Sequence, residues 1–247
     1  MKQLHVDALR QFRTTWPDAP ISAYKNLERL RSFFRFCEQA QWIETNPALA
    51  LKPPKLADKS KRVKVFTHRQ LQAILDACDQ YPQQNAYGHD NRARVRAFIL
   101  TLRYSGMRIG DCVGLAKSHL DGDKLFLNTE KSGSKIFVPL PPDAVEALQE
   151  VENEGEHFFW TGNGLRKSAV ADWQRALRRL FKLAELKGNP HMFRHTFATE
   201  LLKKGVPIED VSILLGHKSV KVTESYYSHW IAERRQRLEE RVRELWA

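Results

Sequence analysis

One stretch, HMFRHTFATELLKKGVPIEDVSILLGHKSVKVTESYY from His191 to Tyr227, leaves this chain few ways to fold. Pro190 suits the first turn of a helix, where its missing N–H is one that a helix start leaves unpaired anyway. The helix it opens runs to Lys204 and stops at Gly205. Pro207 opens a second, shorter helix with Val211, Leu214 and Leu215 as its buried stripe, and Gly216 ends it so that His217 stands on the turn beyond. Ser219 caps a third helix, which carries Thr223, Tyr226 and Tyr227. His191 and Arg194 share a face near the N-terminal end of the first helix, where the helix dipole also favours an anion, so one phosphate can meet both. The third helix brings a tyrosine hydroxyl within one or two turns of His217. A phenol, two imidazoles and a guanidinium gathered in this way make a plausible nucleophilic site.

Upstream, the apolar pattern predicts further helices. Thr67 and Gln70 form a capping box ahead of Leu71, Ile74, Leu75 and Cys78. YPQQNAYGHDN reads as a loop, and a helix with Val95, Phe98, Ile99 and Leu102 on its core face ends at Gly106. Arg108 follows at the mouth of a short helix anchored by Ile109, Val113 and Leu115. A guanidinium so placed is held at its base with its fork outward, which suits bidentate phosphate recognition, and Asp111 one turn on can brace it. Lys124 to Thr129 and Lys135 to Leu140 are two β-prone runs separated by Glu-Lys-Ser-Gly-Ser, a hairpin with Lys131 at its tip. A short helix over 142–151, a brief buried strand at Phe158-Phe159-Trp160, and a helix from Ser168 with Trp173, Leu177, Leu180 and Ala184 inward complete this region.

The motifs HMFRHTFAT, LLGH, YYSH, GMRIGD and the hairpin lysine resemble, in order and spacing, the tyrosine recombinase (phage integrase) family, over roughly the C-terminal two thirds of the chain. The resemblance implies a mainly α fold with a small β-sheet: a short helical N-terminal DNA-binding domain and a tyrosine recombinase catalytic domain. It also implies a site-specific recombinase or integrase working as a homotetramer on two double-stranded DNA sites. Arg108 and Arg194 then take the non-bridging phosphate oxygens, His191 acts as general base, and His217 donates to the phosphate. Tyr227 attacks to leave a 3′-phosphotyrosine bond. From the resemblance alone, Lys131 protonates the leaving 5′ oxygen, with Lys135 as its rival. Tyr227 precedes Ser228-His229, matching the family's ending, but lies one residue farther from His217 than in many members, so Tyr226 stays open. Neither metal nor other cofactor is implied, since Asp111, Asp121 and Asp123 form no two-metal cluster and Asp121-Gly122-Asp123 reads as a turn. A type IB topoisomerase-like relaxing enzyme and a catalytically silent DNA-binding module are the alternative readings.

Charge agrees with a polyanionic partner: forty Lys and Arg against twenty-nine Asp and Glu give a formal net charge of +11. Residues 1–51 read as a helical domain, with Tyr24, Leu27, Leu30, Phe34 and Cys37 at helical spacing, Trp42 and Ile43 capping its core, and Lys25, Arg29, Arg31 and Arg35 as a basic face. That is shorter than the family's four-helix module and leaves open whether the natural chain starts upstream. Residues 52–64, with two prolines and six lysines or arginines, have the composition of an extended linker, and 65–247 form the catalytic domain. The tail beyond Tyr227 is a charged helix with a thin apolar stripe (Trp230, Ile231, Leu238, Val242, Leu245), which in this family docks on a neighbouring subunit. Three cysteines without paired spacing, no apolar leader and no membrane-length stretch predict a cytoplasmic protein.

Overall fold

The chain divides into two compact units, Met1–Lys61 and Arg62–Ala247, each built around its own apolar core. The structure, a computed structural model, describes residues 5–16, 19–55, 63–82, 91–130 and 133–246, with the backbone alone for 228–238 and 241. Lys131, residues 83–90 of the expected loop, and the side chains of Trp230, Ile231 and Leu238 therefore lie outside the described residues.

In the first unit, α1 (Val6–Thr14) and α2 (Pro20–Gln39) meet over Leu9, Leu27, Phe34, Ala48 and Leu51, with Leu30 and Ile43 at the margin. Buried Asn46 is satisfied twice: its carbonyl accepts from Ala48 N (3.0 Å) and its amide donates to Arg31 O (3.0 Å). Two expectations need correcting here. Trp42 does not cap the core: the chain leaves α2 through Gln41 at φ 58°, which lays the Trp42 ring edge-on to Phe36 with 56 % of it exposed. Arg31 is no free member of the basic face, because its Nη2 donates to Leu51 O (2.9 Å), whereas Lys25, Arg29 and Arg35 are exposed.

The second unit begins with the capping box: Thr67 Oγ1 accepts from Gln70 N, and Gln70 Oε1 accepts from Thr67 N, at the start of α3 (His68–Asp79). Next comes α4 (Asn91–Ser105), buried almost continuously from Val95 to Leu102 because neighbours cover it on all sides. At its centre Phe98 stacks on Trp173 (centroids 3.8 Å apart), with Phe159 edge-on to both. Beyond α5 (Ile109–Val113), three antiparallel strands form the sheet: β1 (Leu120–Asp121), β2 (Lys124–Asn128) and β3 (Lys135–Pro139), in that order. Alternation sends Leu125, Leu127, Ile136 and Val138 into the core and leaves the paired Phe126 and Phe137 outside. Then follow α6 (Pro142–Gln149), α7 (Arg166–Leu183), α8 (Pro190–Lys203), α9 (Ile208–Leu214) and α10 (Val220–Glu244).

The strand expected at 158–160 is not there, although Phe158 and Phe159 are buried as core. Asn153 Nδ2 donates to the carbonyls of both His157 and Trp160, taking acceptors that a strand ladder would use, and one bridge, Ala116 to His157, remains. Helix α7 also starts at Arg166, two residues before the expected Ser168. Among the described residues no helix is long and apolar enough to cross a membrane.

The capping box makes a specific demand. Thr67→Ala should lower the unfolding free energy by about 1 kcal/mol and Thr67→Ser should restore most of it, as read by urea titration. Equal stability of the three proteins would show that the box contributes nothing.

Candidate active site

Helix α8 is covered on most sides, and Met192, Phe193, Ala198 and Thr199 are buried in it. Arg194 lies among them, 4 % exposed. A guanidinium taken out of water must be hydrogen-bonded, and two segments far apart in sequence supply three acceptors. Nη1 donates to Gly106 O at the end of α4 (2.8 Å), while Nη2 donates to Leu215 O at the end of α9 (2.6 Å) and to His217 Nε2 (2.8 Å). Burial, and then the nearby charge of Arg108, pull the Arg194 pKa down to about 10, so it stays charged at neutral pH.

That geometry fixes a tautomer. Arginine can only donate, so His217 Nε2 is the acceptor; its proton is then on Nδ1, which donates to Thr223 Oγ1 (2.7 Å). The turn bearing His217 is tight. Gly216 has φ 61°, and a Cβ there would sit 3.1 Å from the Thr129 methyl and 3.2 Å from Ile136 Cγ1, so a glycine lets the turn lie directly on the hairpin.

Arg108 stands at the N-cap of α5 with its Nη1 3.9 Å from Asp111 Oδ2, an ion pair too long to be a hydrogen bond. Arg108 Nη1 is buried and has no hydrogen-bond acceptor among the described residues. Its bonding capacity is thus unspent among the described residues. The other carboxylate oxygen of Asp111 accepts from Glu130 N (3.0 Å), joining α5 to the hairpin turn.

The tyrosines differ sharply. Helix α10 bends at Tyr227 (φ −118°, ψ 17°), and this residue turns inward to 1 % exposure while Tyr226 stays 51 % exposed. The Tyr227 hydroxyl lies 2.8 Å from Nδ1 of His195. Burial pushes the Tyr227 phenol well above its usual range, offset only in part by Arg194. His195 and His217 are both held down to about 4 from an ordinary 6.5, first by burial and then by neighbouring positive groups, so both are neutral imidazoles at physiological pH.

A cleft of about 680 Å³ is lined by Arg108, His191, Arg194, His195, His217, Tyr226 and Tyr227, with Lys64 and Asn189 at its walls. Of the six residues singled out from the sequence, five line this one cleft, and Lys131 lies outside the described residues. The residue that sequence reasoning passed over is His195. Its signal was spacing: it stands four after His191 on one helix face, with the two rings 6.3 Å apart. The tyrosine hydroxyl bonds to His195, whereas His191 is exposed at the cleft mouth.

A buried arginine hydrogen-bonded through both terminal nitrogens, a second arginine with an unspent donor, and a phenol on a neutral imidazole fit a phosphodiester site with a protein nucleophile. The profile of the phage integrase family matches residues 64–234, and the chain belongs to that family, the tyrosine recombinases. Tyrosine recombinase XerD of Brucella abortus biovar 1 is 30 % identical over 236 residues, covering 89 % of this chain and 75 % of that protein. Among solved structures, XerH recombinase bound to palindromic difH superposes with TM-score 0.73 at 21 % identity, covering 98 % of this chain and 72 % of that one. A lambda integrase tetramer bound to a Holliday junction gives 0.68 at 20 %, covering 89 % and 66 %. These two structures share the fold with this chain.

The two depressed histidines fix a direction of pH dependence. Folded values near 4 lie below the unfolded 6.5, so within that window the unfolded chain binds more protons. Stability is therefore full above the window and falls as pH drops through it. Urea unfolding across the window should show this decline, and the double variant His195→Gln, His217→Asn should flatten it. An unchanged slope would contradict the neutral, buried state assigned to these rings.

Proposed function

We propose that this chain is a site-specific DNA recombinase in which Tyr227 attacks the scissile phosphate held between Arg108 and Arg194. The observation that carries the reading is the convergence of both arginines, three histidines and the Tyr227 hydroxyl on one cleft. In the reaction the Tyr227 oxygen bonds to phosphorus, and the bond to the 5′ oxygen breaks with its electron pair. The strand is left as a 3′-phosphotyrosine ester with a free 5′ hydroxyl, and the reverse attack by a different 5′ hydroxyl reseals it. Energy of the phosphodiester is kept in the ester, so the cycle needs no nucleotide cofactor.

The chemical difficulty is the phenol. At its ordinary pKa of about 10 the phenolate costs about 4 kcal/mol at pH 7, and burial of Tyr227 deepens that deficit. His195 Nδ1, neutral and already on the hydroxyl, is the proton acceptor in its Nε2–H tautomer. His191, at the cleft mouth on the same helix face, is placed to pass the proton outward. An incoming phosphate also changes the balance at His217: an anion beside the ring offsets burial and the repulsion from Arg194 and Arg108, so that Nε2 can give up its bond from Arg194, take a second proton and donate to a non-bridging oxygen. Lys131 is assigned to protonate the 5′ oxygen, and Lys135 is the alternative.

The reading extends to the whole chain. Residues 1–51 and 65–247 are assigned as DNA-gripping domains joined by the basic linker 52–64, four copies act on two synapsed duplexes, and the protein works in the cytoplasm. The topoisomerase and silent-module readings have no observation in their favour.

The test is covalent capture from a randomised library of nicked duplexes, followed by sequencing of the DNA retained on denatured protein. Wild type and Tyr226→Phe should enrich one common site, and Tyr227→Phe should retain none. Retention by Tyr227→Phe, or loss with Tyr226→Phe alone, would reassign the nucleophile. Retention without any common site would favour the relaxing enzyme, and binding with no adduct at all would favour the silent module. On the captured duplex, Arg108→Ala should slow adduct formation by about 100- to 1000-fold, the scale of losing a donor aimed at developing charge. A change of less than tenfold would remove Arg108 from the phosphate.

A further inference from the structure

Arg166 has no part in the chemistry above, yet its surroundings are built with unusual care. It opens α7, and its guanidinium leaves that helix to reach across to α5. Nη2 donates to Gly110 O at 2.6 Å, and Nη1 lies 3.2 Å from Glu130 Oε2. The route is narrow: a Cβ on Gly114 would sit 2.3 Å from Arg166 Cζ, so the guanidinium passes where only a hydrogen fits. Glu130 is held a second time through its backbone, whose N–H donates to Asp111 Oδ1 at 3.0 Å, and Asp111 is the carboxylate beside Arg108.

Glu130 is thus gripped at both ends immediately before Lys131. Asp111 holds its backbone and Arg166 holds its side chain, and both contacts run through α5, the helix whose N-cap is Arg108. This is not an arrangement that packing favours. The Glu130 side chain is 63 % exposed, so the ion pair adds little stability, while Arg166 Nε is buried without an acceptor among the described residues. An unpaired buried donor is costly, and a glycine at position 114 keeps room for it. What the contacts achieve is registry between the turn after β2 and the arginine that meets the phosphate.

We propose that Arg166, acting through Glu130, is a positioning residue that holds the chain just beyond β2 against Arg108 and so supports the acid step assigned to the residue after Glu130. The inference rests on the reading of Lys131 as the acid. When the phosphorus–O5′ bond breaks, its electron pair goes to O5′, and the ammonium of Lys131 supplies the proton. If sulfur replaces O5′, the thiolate leaves without a proton, and neither the acid nor its positioning is needed.

The duplex recovered by covalent capture is therefore made twice, once natural and once with sulfur in place of the bridging O5′. Arg166→Ala should form adduct about 10- to 100-fold more slowly on the natural duplex, within the range of acid–base contributions, and at the wild-type rate on the sulfur duplex. Glu130→Gln should show the same split with the least change to packing, and it decides the matter should Arg166→Ala fail to fold. Lys131→Ala is the separate control on the underlying reading. If it slows both duplexes alike, Lys131 is not the acid, and the proposal falls with that reading. If it shows the split but Arg166→Ala and Glu130→Gln slow both duplexes or neither, the positioning role alone is overturned.

Discussion

The structure of the second unit depends on a charge it has every reason to exclude. Arg194 is buried, and its hydrogen bonds run to Gly106 O on one segment and to Leu215 O and His217 Nε2 on another, about a hundred residues on. A buried guanidinium that lost those acceptors would be strongly destabilising, so its bonds hold the ends of α4 and α9 together. The same bonds leave the positive charge intact. Arg108 is added nearby, with Asp111 too distant to hydrogen-bond to it and already committed to Glu130 N. Two cations with a single buried carboxylate nearby form a standing field that favours an anion.

Around that field the titratable groups are kept neutral. Burial and the arginines hold His195 and His217 unprotonated, and burial keeps Tyr227 a phenol on His195. The free protein therefore holds a base next to an acid with no force to move the proton. In the proposed reaction a phosphate in the cleft supplies it, because a phosphoryl group bonding to the phenolic oxygen lowers the cost of releasing its proton. The bend at Tyr227 is where α10 already departs from helical geometry, so adjustment of the tyrosine towards phosphorus breaks no regular turn.

Much of this was legible in the sequence, for identifiable reasons. Pro190, Gly205, Gly216 and Ser219 mark the limits of α8 to α10, and those limits alone bring Arg194, His217 and Tyr227 together. The capping box at Thr67 and the hairpin flanking Lys131 were also plain, because their signals are local. What failed was decided by contacts and backbone geometry that apolar spacing does not show. Asn153 took the carbonyls that residues 158–160 needed for a strand, and Gln41 turned Trp42 away from the core. Arg31 read as a surface cation until Leu51 O, twenty residues on, took its donor. His195 was visible by its spacing from His191, but only the inward turn of Tyr227 tells which of the two imidazoles meets the hydroxyl.

The central claim is that this cleft makes Tyr227 the group joined to DNA. The most direct measurement is tandem mass spectrometry of the protease-released peptide that keeps a nucleotide after the captured adduct is trimmed by nuclease. The account predicts a 3′-phosphonucleotide on the Tyr227 oxygen, with Tyr226 unmodified in the same peptide. A nucleotide on Tyr226, on a serine or on a histidine would contradict it, and would mean that the hydroxyl seated on His195 is a structural contact and not the nucleophile.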